Sequence, residues 1–224
     1  AAGVSDALAG ATWLDDGVGA VLDRIDALER DALVIYFNDH GVEGAKGSCY
    51  EGGVRSPAMV RWKGKAKPGR SAALVQNVDF VPTILDACGI EPPEDMHVDG
   101  QSLVPILRGE KAKLRDSVYL EIGYTRAVCT ERWKYIAFRI PPSRRMTKEE
   151  RIRASEAYAE SKKRREDKDF ATTPDAPLSH LGFPGGQSTE RGNAIRKHGK
   201  TYYDADQLYD LESDVGERKD LAAA

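Results

Sequence analysis

Residues 32–57 read ALVIYFNDHGVEGAKGSCYEGGVRSP, and the rest of the chain is best understood from them outward. Residues 32–37 form an unbroken apolar run, β-branched and aromatic in character. Its length and composition predict a strand buried on both faces. The run stops at Asn38-Asp39-His40-Gly41. Ligands of open α/β sheets sit beyond the carboxyl ends of strands, so a polar cluster there is a site candidate. Asp39 offers a hard carboxylate oxygen and His40 an imidazole nitrogen, both able to bind a divalent cation. Lys46 adds a point charge for an anion's oxygen, and Gly52-Gly53 lets the backbone turn tightly or approach a ligand. Taken singly, an Asp-His pair reads as surface polarity, a lysine as solvated and a Gly-Gly pair as a turn. Together within one short segment they suit an anionic ester better than a neutral substrate.

The segment resembles the sulfatases of the alkaline phosphatase superfamily. In that family a strand ends in Asp-Asn-Gly or Asp-His-Gly, followed by Lys-Gly-x-x-Tyr-Glu-Gly-Gly-x-Arg-x-Pro. Here stand Asp39-His40-Gly41 and then Lys46-Gly47-Ser48-Cys49-Tyr50-Glu51-Gly52-Gly53-Val54-Arg55-Ser56-Pro57. The resemblance implies that Asp39 and His40 are metal ligands and that Lys46 is a catalytic, substrate-binding residue contacting the sulfate. It implies calcium as the cation ahead of magnesium or manganese, and a formylglycine hydrate that attacks sulfur. Arg55 is expected to pack or pair structurally and Glu51 to hold the turn. The fold implied is α/β: the C-terminal portion of an alkaline-phosphatase-like sheet with flanking helices, then a smaller antiparallel sheet subdomain. Residues 1–115 would belong to the catalytic α/β domain and residues 116–224 to the smaller one, with a charged insertion at about 141–200.

The 224 residues suffice for one or two domains with a sizeable core. A net charge of -3 gives no pointer to a nucleic-acid partner. No apolar run approaches the roughly 20 residues that span a bilayer, so no membrane partner is expected. No signal peptide is visible at the N-terminus. That says nothing of the compartment if the chain is a fragment; a periplasmic or secreted place stays open for a complete enzyme. Cys49, Cys88 and Cys129 are an odd set without metal-type spacing, and no disulfide framework follows.

Residues 7–30 read as a helix, with Leu14, Val18, Val21, Leu22, Ile25 and Leu28 making one apolar stripe. Asp15-Asp16 lies mid-helix, as in the family's Leu-Asp-Asp-x-Val-Gly helix, and is assigned a solvated or structural role. Residues 58–62 are a second short strand, and residues 63–69 a loop by their Gly and Pro. Asp79 is expected to cap a helix with Pro82 in its first turn and Gly89 past its end. Phe80, Ile84, Leu85 and Cys88 of that helix would face the core. Residues 99–107 look like the family's Asp-Gly-x-Ser-Leu-x-Pro-x-Leu segment, a turn and short helix, with His97 before it on the surface. Short strand-like pieces follow at 117–121, 126–130 and 133–139. Residues 207–217 match the family's closing Glu-Leu-Tyr-Asp-Leu-x-x-Asp-Pro-x-Glu, with Val215 where proline is usual. Asp210, Asp214 and Glu217 there are expected to cap a turn rather than hold calcium. Between these pieces, residues 148–168 carry alternating charges that suit a solvated helical face. His180 and His198 receive no role.

The family's nucleophile is a cysteine, converted to formylglycine within Cys-x-Pro/Ala-x-Arg. None of the three cysteines fits, since Cys49 is followed by Glu51 and Gly53, Cys88 by Ile90 and Pro92, and Cys129 by Glu131 and Trp133. The formylglycine and the first metal aspartates are expected in a missing N-terminal half. The leading expectation is therefore the C-terminal half of a metal-dependent sulfatase whose partner is a sulfate-ester small molecule or glycan, inactive alone. The alternatives are a phosphonate or phosphate ester hydrolase of the same superfamily and a truncated, non-catalytic anion-binding module. Two protein ligands leave most of a cation's shell to water, so weak affinity follows. A cut sheet edge predicts self-association.

Overall fold

The computed structural model describes residues 5–41, 47–139, 147, 149–150, 153 and 204–222. It opens with helix α1, Asp6–Ala27, where Ser5 caps the N-terminus by accepting from the Leu8 amide. Asp6 in the first turn suits the positive end of the helix dipole. The chain then enters β1, Leu33–Phe37, paired antiparallel with β2, Ala58–Trp62, in the register Leu33↔Trp62 to Phe37↔Ala58. Ion pairs tie the end of α1 to β2: Arg61 donates twice to Asp26, and Asp31 accepts from Trp62 Nε1 and Lys65 Nζ. Partly exposed pairs of this kind contribute about 0–1 kcal/mol each.

The expected burial of β1 on both faces is not what the fold provides. β1 is half-buried rather than buried on both faces, Phe37 is exposed, and among the described residues its second edge carries no strand. Along the apolar stripe of α1, Val18, Leu22 and Ile25 are half-buried while Leu14, Val21 and Leu28 are exposed, and Trp13 beside it is 82% exposed.

Between the sheets, a 3-10 turn at Asn77–Asp79 leads into α3, Phe80–Cys88. Gly89 ends the helix at φ 67°, a left-handed position that costs other residues strain, and the Ile90 amide closes the cap on Leu85 O. Asp79 stands at the N-cap of α3, as expected, but its side chain makes no capping bond there. Its carboxylate is fully buried, accepts from the amides of Gln76 and Gln101, and receives both arms of Arg115. Burial pushes the Asp79 carboxyl up, but Arg115 and the two amides outweigh it and hold the carboxyl below its usual value. Nor do Ile84 and Cys88 face a core; both are exposed, and Thr83 turns inward instead. The reason is polar: Thr83 Oγ1 donates to Asp79 O and accepts from the Leu103 amide, docking α3 on the loop before α4, Val104–Leu107.

The second sheet is antiparallel, in the order β3 (Val118–Ile122), β4 (Thr125–Cys129), β5 (Trp133–Phe138), β6 (Asp206–Asp210). Side chains alternate across a strand, so one face takes Ala127, Cys129, Lys134, Ile136, Phe138, Gln207 and Tyr209. On that face lie Cys49 and Tyr50 from the segment that follows β1, forming one apolar cluster with Ala127, Ile136, Phe138 and Tyr209. Tyr50 meets Tyr209 edge-on, with ring centroids 6.1 Å apart, a contact worth about 0.5–1.5 kcal/mol beyond its buried area. The architecture is thus mixed α/β with antiparallel sheets. The charged stretch at 141–200 lies outside the described residues apart from isolated positions, and His180 and His198 lie outside them altogether.

Candidate functional site

β1 delivers Asn38-Asp39-His40-Gly41 to the mouth of the turn formed by Gly47–Tyr50 and the single-turn helix α2, Glu51–Val54. Backbone pairing holds the two together. The Gly41 amide donates to Gly53 O at 2.9 Å, the Asn38 amide to Pro57 O at 3.1 Å, and Ser56 Oγ to Asn38 O at 2.5 Å. A Cβ on Gly41 would stand 2.5 Å from Gly52 O, so only glycine allows this approach. Gly41, Gly52 and Gly53 are all buried.

His40 Nδ1 lies 2.6 Å from Gly41 O. A carbonyl only accepts, so Nδ1 carries the hydrogen, and in the neutral ring Nε2 keeps its lone pair. Nε2 stands 3.8 Å from Asp39 Oδ2, and the Asp39 side chain is 87% exposed. A neutral imidazole nitrogen and a solvent-facing carboxylate oxygen on adjacent residues fit a partial ligand set for a divalent cation. Among the described residues, no three His, Cys, Asp or Glu side chains gather closely enough to hold a metal. Asp210, Asp214 and Glu217 do not cluster: Asp210 pairs with Arg132, Asp214 accepts from the Arg218 and Lys219 amides, and Glu217 is buried elsewhere. Lys46, expected to bind the anion, lies outside the described residues.

Sequence reasoning missed what holds this turn in place. Lys134 is 0% exposed, and its Nζ donates to Glu51 Oε1 at 2.5 Å and to Cys49 O at 3.1 Å, with Glu217 Oε1 3.0 Å away. Glu217 Oε2 accepts from the Glu51 amide at 2.6 Å. Burial works against the Lys134 charge, but Glu217 and Glu51 overcome it and hold the ammonium above its usual pKa. Tyr50 OH and Tyr209 OH both donate to Gln207 Oε1, at 2.6 and 2.8 Å. The signal was in strand parity: in Trp133-Lys134-Tyr135-Ile136, Lys134 shares its face with the inward Ile136. Glu51 does hold the turn, and Arg55 pairs with it at 3.7 Å while remaining exposed. Burial pushes the Cys49 thiol up to about 11, so a thiolate is disfavoured at neutral pH. His97 is exposed and paired with Asp99.

The family profile described as N-sulphoglucosamine sulphohydrolase, C-terminal, matches residues 40–146. Steryl-sulfatase of Mus musculus is 37% identical over 119 residues, covering 43% of this chain and 19% of the relative. The ulvan-active sulfatase of Formosa agariphila is 34% identical over 128 residues, covering 52% and 25%. Arylsulfatase A of Homo sapiens is 32% identical over 127 residues, covering 50% and 25%. A protein solved in complex with its substrate D-glucosamine-2-N,6-O-disulfate shares the fold at a TM-score of 0.57 and 23% identity, over 93% of this chain and 34% of that one. The matched segments thus span about a fifth to a quarter of the length of these curated relatives. On these matches the chain is similar to the sulfatases, and residues 40–146 to the C-terminal portion of that family.

Proposed function

We propose that the chain serves a metal-dependent sulfuric ester hydrolase, contributing Asp39 and His40 as ligands to a divalent cation and Lys46 as the cation that meets the sulfate. The observation that carries this reading is the docking of Asp39-His40-Gly41 on Gly52-Gly53, which presents an imidazole Nε2 and a carboxylate oxygen together at the end of β1. Calcium is the first expectation, magnesium and manganese the alternatives. When bound, the cation would supply charge stabilisation for a sulfate oxygen. Asp39 orients and neutralises, and Lys46 adds a point charge that favours a tetrahedral anion. A sulfate-ester small molecule or glycan is the substrate class proposed; D-glucosamine-2-N,6-O-disulfate is the substrate of one protein of the same fold.

None of Cys49, Cys88 and Cys129 stands in Cys-x-Pro/Ala-x-Arg, and the buried Cys49 thiol is held protonated. The 224 residues alone are therefore proposed not to turn over a sulfate ester, because covalent catalysis without its nucleophile loses its central step. The proposed domain division at residue 115 follows the change from the α1–α4 region to the four-stranded sheet. The second edge of β1 and the apolar face of α1 support self-association.

The test is calorimetric titration of the chain with calcium, magnesium and manganese, alongside Asp39→Ala and His40→Ala, plus an aryl-sulfate assay. Weak binding lost in both variants, with no hydrolysis, is the expected result. Binding unchanged in both variants would sink the ligand assignment. A rate abolished by chelator and by Lys46→Ala would sink the proposed inactivity.

A further inference from the structure

We propose that Lys134, together with Glu217, is a positioning residue: from strand β5 and the C-terminal turn they fix the Cys49–Gly53 turn on which Asp39-His40-Gly41 rests. The path is short and made of directed bonds. Lys134 Nζ grips Cys49 O and Glu51 Oε1, and Glu217 grips the Glu51 amide. The Gly53 amide donates to Tyr50 O at 2.8 Å, and Gly53 O accepts the Gly41 amide at 2.9 Å. His40 is the next residue, and its ring is oriented by Gly41 O.

Three features mark this cluster as more than filling. First, it joins chain segments 83 to 166 residues apart in sequence, so it decides how the sheet β3–β6 sits against the signature turn. Second, Glu217 takes the left-handed conformation at φ 53°. That conformation is strained for a non-glycine residue and persists only where the surroundings over-determine it. Third, buried ion clusters often gain no more stability than apolar packing of similar volume, so what this one adds is direction. An apolar side chain at position 134 would fill the space, but would not hold Cys49 O or the Glu51 carboxylate in one register.

The positioning role rests on the cation reading of Asp39 and His40; the clamp itself does not. The experiment uses the isotope-labelled 224-residue chain, its Lys134→Met and Glu217→Gln variants, and Mn2+ as the probe. Amide exchange is followed at Gly41 and Gly53, with Gly89 and Ile90 of the α3 cap as controls. The His40 ring signal is followed with exposed His97 as internal reference. In K134M, exchange at Gly41 and Gly53 should accelerate at least about tenfold, the loss of one charge-assisted hydrogen bond, while the α3 cap and His97 stay as in the parent. Mn2+ should broaden His40 in the parent at roughly tenfold lower concentration than in K134M. E217Q, isosteric with the parent, should shift both readouts the same way by less. A folded K134M or E217Q with unchanged Gly41, Gly53 and His40 overturns the proposal. If both variants lose protection at the α3 cap together with Gly41, the cluster holds the whole fold rather than this turn, which also overturns it. If Mn2+ fails to broaden His40 in the parent, the cation reading falls while the amide arm still decides the clamp.

Discussion

The β1–β2 pair and the four-strand sheet are both antiparallel, yet they are stabilised by different means. In the first, Phe37 and Met59 point to solvent, and the anchors are partly exposed ion pairs from Asp26 and Asp31. In the second, Ile136, Phe138 and Tyr209 are buried together with Lys134 and Gln207, whose polar ends reach Cys49 O, Glu51 and the Tyr50 hydroxyl from distant parts of the chain. The lesson concerns where order comes from. The turn with Asp39 and His40 leaves a lightly packed strand but is fastened to the densely packed sheet, through Glu51 and Tyr50. A site at the end of a weakly buried strand is thereby given the rigidity of a core.

The largest effect should come from removing the charge at the centre of the second region. Lys134→Met leaves the Glu51 and Glu217 carboxylates facing each other without their cation. Breaking a buried pair in this way costs about 3–5 kcal/mol, read from the midpoint of urea unfolding at unchanged slope. An effect below about 1 kcal/mol would make the two regions alike.

Asp79→Asn tests whether the buried carboxylate between the regions belongs with the core. It should cost about 1.5–3 kcal/mol at pH 7, since Arg115 and the amides of Gln76 and Gln101 lose a charged acceptor. The sign of its pH dependence follows from the lowered pKa. Asp79 binds its proton less tightly in the folded chain than in the unfolded one. Its contribution is therefore full above about pH 4 and is lost as pH falls through the folded value. Unfolding curves from pH 7 to 2 should show a steeper acid decline in the parent than in D79N. Parallel declines would remove Asp79 from the stabilising set.

Gly41→Ala probes the junction of the two regions. The new methyl would meet the Gly52 carbonyl, and forced overpacking costs about 1–3 kcal/mol. Cation binding at Asp39 and His40 should weaken with it, and a variant of parental stability and affinity would show that the approach is relaxed.

The smallest expected change in stability is Trp13→Ser in α1. At 82% exposure the side chain contributes under about 0.5 kcal/mol to the fold. Light scattering should nonetheless show reduced self-association. A parent chain that stays monomeric at high concentration would remove the exposed α1 face from consideration.

Much of the fold was legible in the sequence. The apolar run at 32–37 gave β1 and its polar end gave the turn, because a short β-branched and aromatic run bounded by polar and glycine residues is a local signal. The stripe of α1 and the Pro82 and Gly89 of α3 declared helices for the same reason: helix start and stop chemistry is local. What failed was direction. Phe80, Ile84, Leu85 and Cys88 look like a core face by composition, yet Thr83 is the residue turned inward, because Asp79 O and the Leu103 amide require its hydroxyl. Asp79 looks like a cap by position, yet Arg115, 36 residues on, claims its carboxylate.

The sequence by itself determined the resemblance to sulfatases, through its Asp-His turn followed by a lysine-glycine signature, and most strand and helix positions, since these are written in residues a few places apart. Only the tertiary structure decided that Lys134 lies buried between Glu51 and Glu217, that Tyr50 and Tyr209 share Gln207, and that Gly41 rests on Gly52. Those arrangements depend on segments far apart in the chain meeting in one low-dielectric place, where a charge persists only if its partners arrive with it.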